Sequence, residues 1–294
     1  ETYKYHMPGE QEFYKRELLV FDIPTKTHFK VALDTVVQQS VDVYSRPSLP
    51  STYDDDFRPS LLLSKKGKIY FNVISRDRKK MDVCVADMET GEVKVLIEER
   101  MNTYIESRDL VLLYDETQMI HWSERDGWAH FYRYNADGSL RNRITRGTFH
   151  SEAVSGVDEK SGQLYFTAHG VQPGLDPYYE HLYAVPLDGG APKALNGGDF
   201  TSSTRSSDRH NYFVSNFSRV NTTPKSELRN ASGQLVLDLE TADLSALFAA
   251  GYQFPEPFKV KADDGITDIY GVLYKPFDFD ENKQYPLLEY VYPG

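Results

Sequence analysis

Hydrophobic and polar positions alternate over short runs along most of this chain. That is the pattern of strands with one face turned toward a core. Lys68–Arg76 (KIYFNVISR) alternates as far as the charged turn Asp77-Arg78-Lys79-Lys80. Met81–Met88 (MDVCVADM) alternates again, with Val83 and Val85 on one face and Cys84 and Ala86 on the other. With Pro59–Ser64 ahead of them and Glu92–Glu99 after the turn Glu89-Thr90-Gly91, these segments predict an antiparallel meander of four strands. A second meander follows in Asp109–Asp115, Gln118–Arg125, Ala129–Ala136 and Ser139–Thr145, and a third in Ala153–Glu159, Gln163–Gly170, Glu180–Leu187 and Ala191–Asn196. A fourth is looser, through Asn211–Ser218, Lys225–Ala231 and Gln234–Glu240. The turns at Gly91, Gly138 and Gly189 fall roughly 47–51 residues apart, within the range of a four-stranded propeller blade. Ahead of them, Tyr14–Ile23 and His28–Asp34 read as the last two strands of a further blade. The expected fold class is therefore all-β, a partial β-propeller of about four and a half four-stranded antiparallel blades. A tandem β-sandwich is the competing architecture, and the regular period favours the propeller.

The tail changes character. Thr241–Ala250 carries Leu244, Leu247 and Phe248 at helical spacing, with Gly251 as a stop, and predicts a short helix. Strands are expected again at Phe258–Asp263, Ile266–Lys275 and Tyr285–Tyr292. Within the last, Pro286–Val291 (PLLEYV) has the dense apolar run of a buried strand. Three segments follow: propeller at 1–240, a linker with a short helix at 241–257, and the first strands of another domain at 258–294.

Composition narrows the function classes. Aromatic residues are 13% of the 294 positions, which suits pleated, half-buried surfaces. The formal charge of −11 argues against nucleic acid, because phosphate binding needs clustered Lys and Arg. No window approaches the ~18–20 apolar residues of a membrane span. The lone Cys84 excludes an intrachain disulfide and reads as a small buried hydrophobe. None of the eight histidines has metal-ligand spacing, and Asp54-Asp55-Asp56 lacks the glycine and distal glutamate of a calcium loop. Neither a metal nor a cofactor is expected. There is no GxSxG elbow and no phosphate loop. Asn216, Asn221 and Asn230 stand in N-x-S/T triplets, read as chance.

Several stretches are more specific. His121–Tyr132 (HWSERDGWAHFY) resembles a blade signature of the dipeptidyl peptidase IV propeller, in which a serine–acidic turn and a Gly-aromatic pair precede a His-aromatic strand. Asp176-Pro177-Tyr178-Tyr179 with His181-Leu182-Tyr183, and Ser215–Pro224 (SNFSRVNTTP), are similar to bacterial members of that family. Phe258–Gly294 resembles the entrance to the family's α/β-hydrolase domain. The resemblance covers essentially the whole chain. It implies a serine exopeptidase of the S9 kind, of the dipeptidyl peptidase IV or prolyl tripeptidyl peptidase type. Such an enzyme cuts short N-terminal peptides after proline and is periplasmic or extracellular. It also implies that the catalytic Ser, Asp and His lie beyond Gly294, and the glutamates that bind the substrate amino terminus before Glu1. On that basis the chain alone is expected to be inactive.

Two tyrosines match family positions. Tyr292, in Tyr290-Val291-Tyr292-Pro293-Gly294, matches the tyrosine whose hydroxyl donates to the oxyanion. Tyr104 falls where the family places an aromatic residue against the substrate side chain, although Ile105 stands where an arginine follows that aromatic. The expected partners are peptides with proline near the N-terminus, and a second copy of the chain through open propeller edges. The alternative reading is a non-catalytic propeller that binds a protein or glycan partner. The segment 258–294 weighs against it.

Overall fold

The computed structural model describes residues 9–10, 16–33, 38–46 and 61–291. Tyr292 and Asp54-Asp55-Asp56 lie outside the described residues. Those described form twenty-two strands and one helix of five residues. The chain divides into two compact units, 1–177 with 182–194, and 178–181 with 195–294.

The first unit begins with a hairpin of β1 (Leu19–Asp22) and β2 (Thr27–Lys30). Next come β3 (Gln38–Val43), β4 (Ser45–Arg46), β5 (Leu61–Leu62), β6 (Lys68–Ser75), β7 (Lys80–Asp87) and β8 (Val93–Arg100). Strands β3-β6-β7-β8 make one antiparallel sheet, while β4 pairs only with β5. This corrects the sequence expectation. The first strand of this blade is Gln38–Val43, paired from Ser40↔Ile74 to Val43↔Phe71, and Leu61–Leu62 pairs instead with Ser45–Arg46. The next sheet contains β9 (Val111–Leu113), β10 (Gln118–Ser123), β11 (His130–Asn135) and β12 (Leu140–Arg143) in meander order. After it come β13 (His150–Asp158), β14 (Gln163–His169), β15 (Glu180–Pro186) and β16 (Lys193–Ala194). These two sheets follow the predicted segments strand for strand.

Alternation on each central strand feeds two cores. Cys84 and Ala86 pack with Phe71, Val73 and Val31 on one face of their sheet, against Val20 and Phe29 of the first hairpin. Val83, Tyr70 and Met81 face the other way, against Met119, Tyr132 and Tyr134 of the next sheet. Ile120, Trp122 and Phe131 turn onward to Leu164, Phe166 and Tyr183. Sheets stacked face to face, each buried on both sides, are blades. Each fully buried Val, Leu, Ile, Phe or Met among them contributes roughly 1.5–3 kcal/mol.

Two devices recur from blade to blade. The glycine of the last hairpin sits against the preceding backbone: a Cβ on Gly138 would strike the carbonyl of Leu96, and one on Gly233 would lie 2.6 Å from that of Leu195. Both have positive φ, +89° and +84°. The second device is a histidine. His130 Nε2 donates to the Gly147 carbonyl at 3.1 Å, and His181 Nε2 to the Gly198 carbonyl at 3.1 Å. Each ring meets a phenylalanine edge-on, Phe149 and Phe200 respectively.

The second unit holds β17 (Thr201–Ser206), β18 (Tyr212–Ser218), β19 (Lys225–Asn230) and β20 (Leu235–Thr241) in one sheet, then α1 (Ser245–Ala249), and a hairpin of β21 (Glu256–Lys261) and β22 (Asp268–Leu273). Its first strand, Thr201–Ser206, is not among the segments the sequence predicts. The expected helix is present but shortened, and its chain turns at Gly251 with φ +94°. The expected strand over 285–291 is absent. Leu287, Leu288 and Tyr290 are 80%, 92% and 91% exposed. Among the described residues no strand runs beside this segment, and backbone without a ladder partner has no sheet to join. No helix among the described residues is long and apolar enough to cross a membrane.

Candidate functional site

An antiparallel meander returns alternate connections to the same end of a blade. In the first unit the hairpins β6–β7 and β10–β11 therefore share one end with the connections β8–β9 and β12–β13. Tyr104 lies there, in the β8–β9 connection.

That connection is tied to the β6–β7 hairpin of its own blade. Met101 N donates to Lys79 O at 3.0 Å, and Ile105 N donates to Arg78 O at 2.7 Å. Arg78 Nη2 donates in turn to Ile105 O at 3.3 Å. Ile105 itself is buried, filling the position where the family resemblance implies an arginine. Tyr104 stays 58% exposed, and the Arg78 guanidinium carbon sits 4.5 Å from the centre of its ring.

Behind the connection lies a buried ionic cluster that sequence reasoning did not find. Glu99 accepts from His121 Nε2 at 3.0 Å and also pairs with Arg125. Burial alone would raise the Glu99 pKa. The His121 hydrogen bond, with the charges of His121 and Arg125, reverses that and holds the carboxyl below its ordinary value. Arg125 also covers the rings of Tyr132 and Tyr134, at 4.6 and 5.8 Å. His121 and Arg125 both belong to the HWSERDGW stretch, so the signal was visible. Its partner Glu99 stands in another blade. A histidine–carboxylate pair can serve a nucleophile, but His121 is 1% exposed and Glu99 3%, so this one is closed to substrate.

Arg108, at the end of the same connection, stacks on Trp122 at 4.9 Å and pairs with Glu106 and Glu152 at 2.8 and 3.3 Å. Met101, Ile105, Glu106, Trp122, Ser123 and Glu124 line a narrow cleft that leaves no room for a water molecule. Ligand pockets are far larger, at ~300 Å³ and above. Among the described residues no three His, Cys, Asp or Glu side chains gather as metal ligands. This end therefore offers an exposed, cation-backed aromatic ring on a fixed loop, above a closed ionic core. It can contact a ligand, but the described residues there carry no accessible nucleophile–base pair. Tyr104 belongs to this unit, while Tyr292 lies outside the described residues.

Comparison with known proteins agrees with this architecture. The family described as the dipeptidyl peptidase IV (DPP IV) N-terminal region matches residues 1–224. The chain is 27% identical over 178 residues to dipeptidyl peptidase 4 of Trichophyton equinum, a match covering 58% of the chain and 22% of that relative. The chain thus spans about a fifth of the curated relatives it matches. A Bacteroides ovatus protein assigned as a dipeptidyl aminopeptidase IV superposes with a TM-score of 0.68 at 22% identity, over 92% of this chain and 38% of that one. Porphyromonas gingivalis dipeptidyl peptidase 4 gives 0.61 at 16% identity, over 92% and 49%. With the family matched across its first 224 residues and its sheets stacked as blades, this chain belongs to the dipeptidyl peptidase IV N-terminal region family.

Proposed function

We propose that this chain is the substrate-gating propeller region of a proline-specific serine exopeptidase, one that removes dipeptides or tripeptides from peptide N-termini. The family match over 1–224 is the observation that carries the reading, and the named relatives are dipeptidyl peptidases. Residues 1–240 supply the propeller, 241–257 the linker, and 258–294 the opening strands of the hydrolase domain. A wall of blades excludes folded proteins and admits peptide ends. The net charge of −11 favours cationic amino termini, in a salt-dependent way. The periplasm or the exterior of the cell is the proposed location.

Tyr292 is the proposed oxyanion donor. A phenol beside the scissile bond stabilises charge that develops on the carbonyl oxygen in the transition state. Tyr104 is the proposed contact for the substrate side chain. With no GxSxG elbow in its sequence, the chain alone should not hydrolyse peptides.

The test is release of p-nitroaniline from Gly-Pro-p-nitroanilide by the full-length protein and its Tyr292→Phe variant. Loss of the donor should lower kcat by about 10²–10³ with little change in KM. An unchanged kcat removes Tyr292 from the chemistry and keeps the peptidase. No hydrolysis of this substrate or of tripeptide analogues rejects the peptidase and favours the binding propeller.

A further inference from the structure

We infer that Arg78 is a positioning residue for substrate binding: it fixes the exposed Tyr104 ring so that the uncovered face meets an apolar residue near the peptide N-terminus. The inference rests on the reading of Tyr104 as a substrate contact and adds a partner from a different element.

An exposed tyrosine ordinarily samples several rotamers, and ordering it on binding weakens the complex. Here that freedom is already removed. The guanidinium lies 4.5 Å from the ring centre and covers one face, while 58% of Tyr104 remains open. Arg78 is itself anchored three ways. Its φ of 53° is the left-handed conformation, uncommon for a residue with a side chain. Its carbonyl accepts from Ile105 N at 2.7 Å, and its Nη2 donates to Ile105 O at 3.3 Å. The residue thus pairs with Ile105 in both directions and brings its guanidinium over the neighbouring ring.

Its Nε adds a further mark. It is buried and makes no hydrogen bond among the described residues. A buried unpaired donor is unfavourable, and a side chain turned to solvent would hydrate it. The observed geometry keeps that cost and retains the stack. Arg108 repeats the arrangement at the other end of the connection, over Trp122, and its Nε is also buried and unpaired. Trp122 is a core residue, whereas Tyr104 projects into solvent. Of these two pairs, that of Arg78 presents a ring to a ligand.

The experiment measures kcat and KM of the full-length protein with Gly-Pro-p-nitroanilide, for Tyr104→Ala, Arg78→Met, Arg78→Lys and the double variant Arg78→Met/Tyr104→Ala. Arg78→Met should raise KM about two- to fivefold at unchanged kcat, the scale of an exposed cation–π contact. Arg78→Lys, which keeps the charge and loses the planar fork, should recover part of the effect. In the Tyr104→Ala background, Arg78→Met should add nothing, because a positioning residue acts only through the ring it positions. An equal rise in KM in both backgrounds overturns the inference, as does an unchanged KM in Arg78→Met beside a raised KM in Tyr104→Ala. A fall in kcat and thermal midpoint with KM unchanged makes Arg78 merely structural. A wild-type KM in Tyr104→Ala, or a wild-type protein without peptidase activity, removes the reading of Tyr104 and the inference with it.

Discussion

Glu99 and His130 are both buried, yet the fold keeps the first charged and the second neutral. Glu99 sits between His121 and Arg125, which favour the carboxylate. His130 donates through Nε2 to the Gly147 carbonyl and accepts at Nδ1 from the Thr145 hydroxyl, 3.0 Å away. Burial is the chief cause that pushes its pKa down from 6.5 to about 4, and the Arg143 charge adds to it. The Gly147 hydrogen bond and the Asp126 charge oppose that shift, and His150 reinforces it. The signs agree. An unfolded His130 takes up a proton that the folded ring refuses, so stability is full above 6.5 and falls as pH drops toward 4. The Glu99 contribution is full above its ordinary 4.5 and is lost as pH falls through the lower folded value. Urea unfolding midpoints should therefore decline on acidification in two windows. His130→Gln should flatten the upper one, and Glu99→Gln the lower. A variant with the wild-type slope across its own window would reject that assignment. Cys84 is simpler: it has no exposed surface, and burial raises its thiol to about 12, so the sequence reading of a packed hydrophobe holds.

At the scale of the element, the last hairpin of a blade is what the sequence displayed best. Asp137-Gly138 and Asp188-Gly189 were readable as turns because a left-handed residue there is almost always glycine. What they turn against was not readable. Gly138 meets the backbone of Leu96 in the preceding blade, so it lacks room for a side chain as well as needing its φ. Gly127 has a similar φ, +86°, and nothing within 4 Å. Gly138→Ala should therefore cost about 3 kcal/mol, from strained φ plus overpacking, and Gly127→Ala only about 1 kcal/mol. Equal unfolding free energies for the two variants would show that the contact between blades carries no weight. First strands were the weakest part of the sequence reading, for a physical reason. Gln38–Val43 (QQSVDV) has two apolar residues and Thr201–Ser206 (TSSTRS) none. Such strands are held by the ladder to their neighbour, and no hydrophobic pattern announces them. PLLEYV failed in the opposite way, having the pattern and no ladder among the described residues.

Over the whole molecule, apolar surface is unevenly covered. In the first unit the middle sheets bury both faces, while the opening hairpin leaves Phe21 65% exposed. In the second, Leu235, Val236, Leu237 and Leu239 of β20 are 43–55% exposed, with Phe258, Val260 and Ile269 of the β21–β22 hairpin similarly open. Contiguous apolar surface on a sheet seeks a partner. The chain by itself should self-associate, its weight-average mass in sedimentation rising with concentration. A monodisperse monomer across that range would reject the prediction.

Local periodicity determined the blades. Alternation and turn residues act within a few residues of their own position and recur about every fifty positions, so the strand order of the middle sheets and the two-faced packing of Val83 and Cys84 were fixed before any sheet met another. Tertiary structure decided which side chains meet across connections and blades. Arg78 reaches Tyr104, and Glu99 gathers His121 and Arg125, because docking brings the ends of separate strands together. No spacing along the chain encodes that approach.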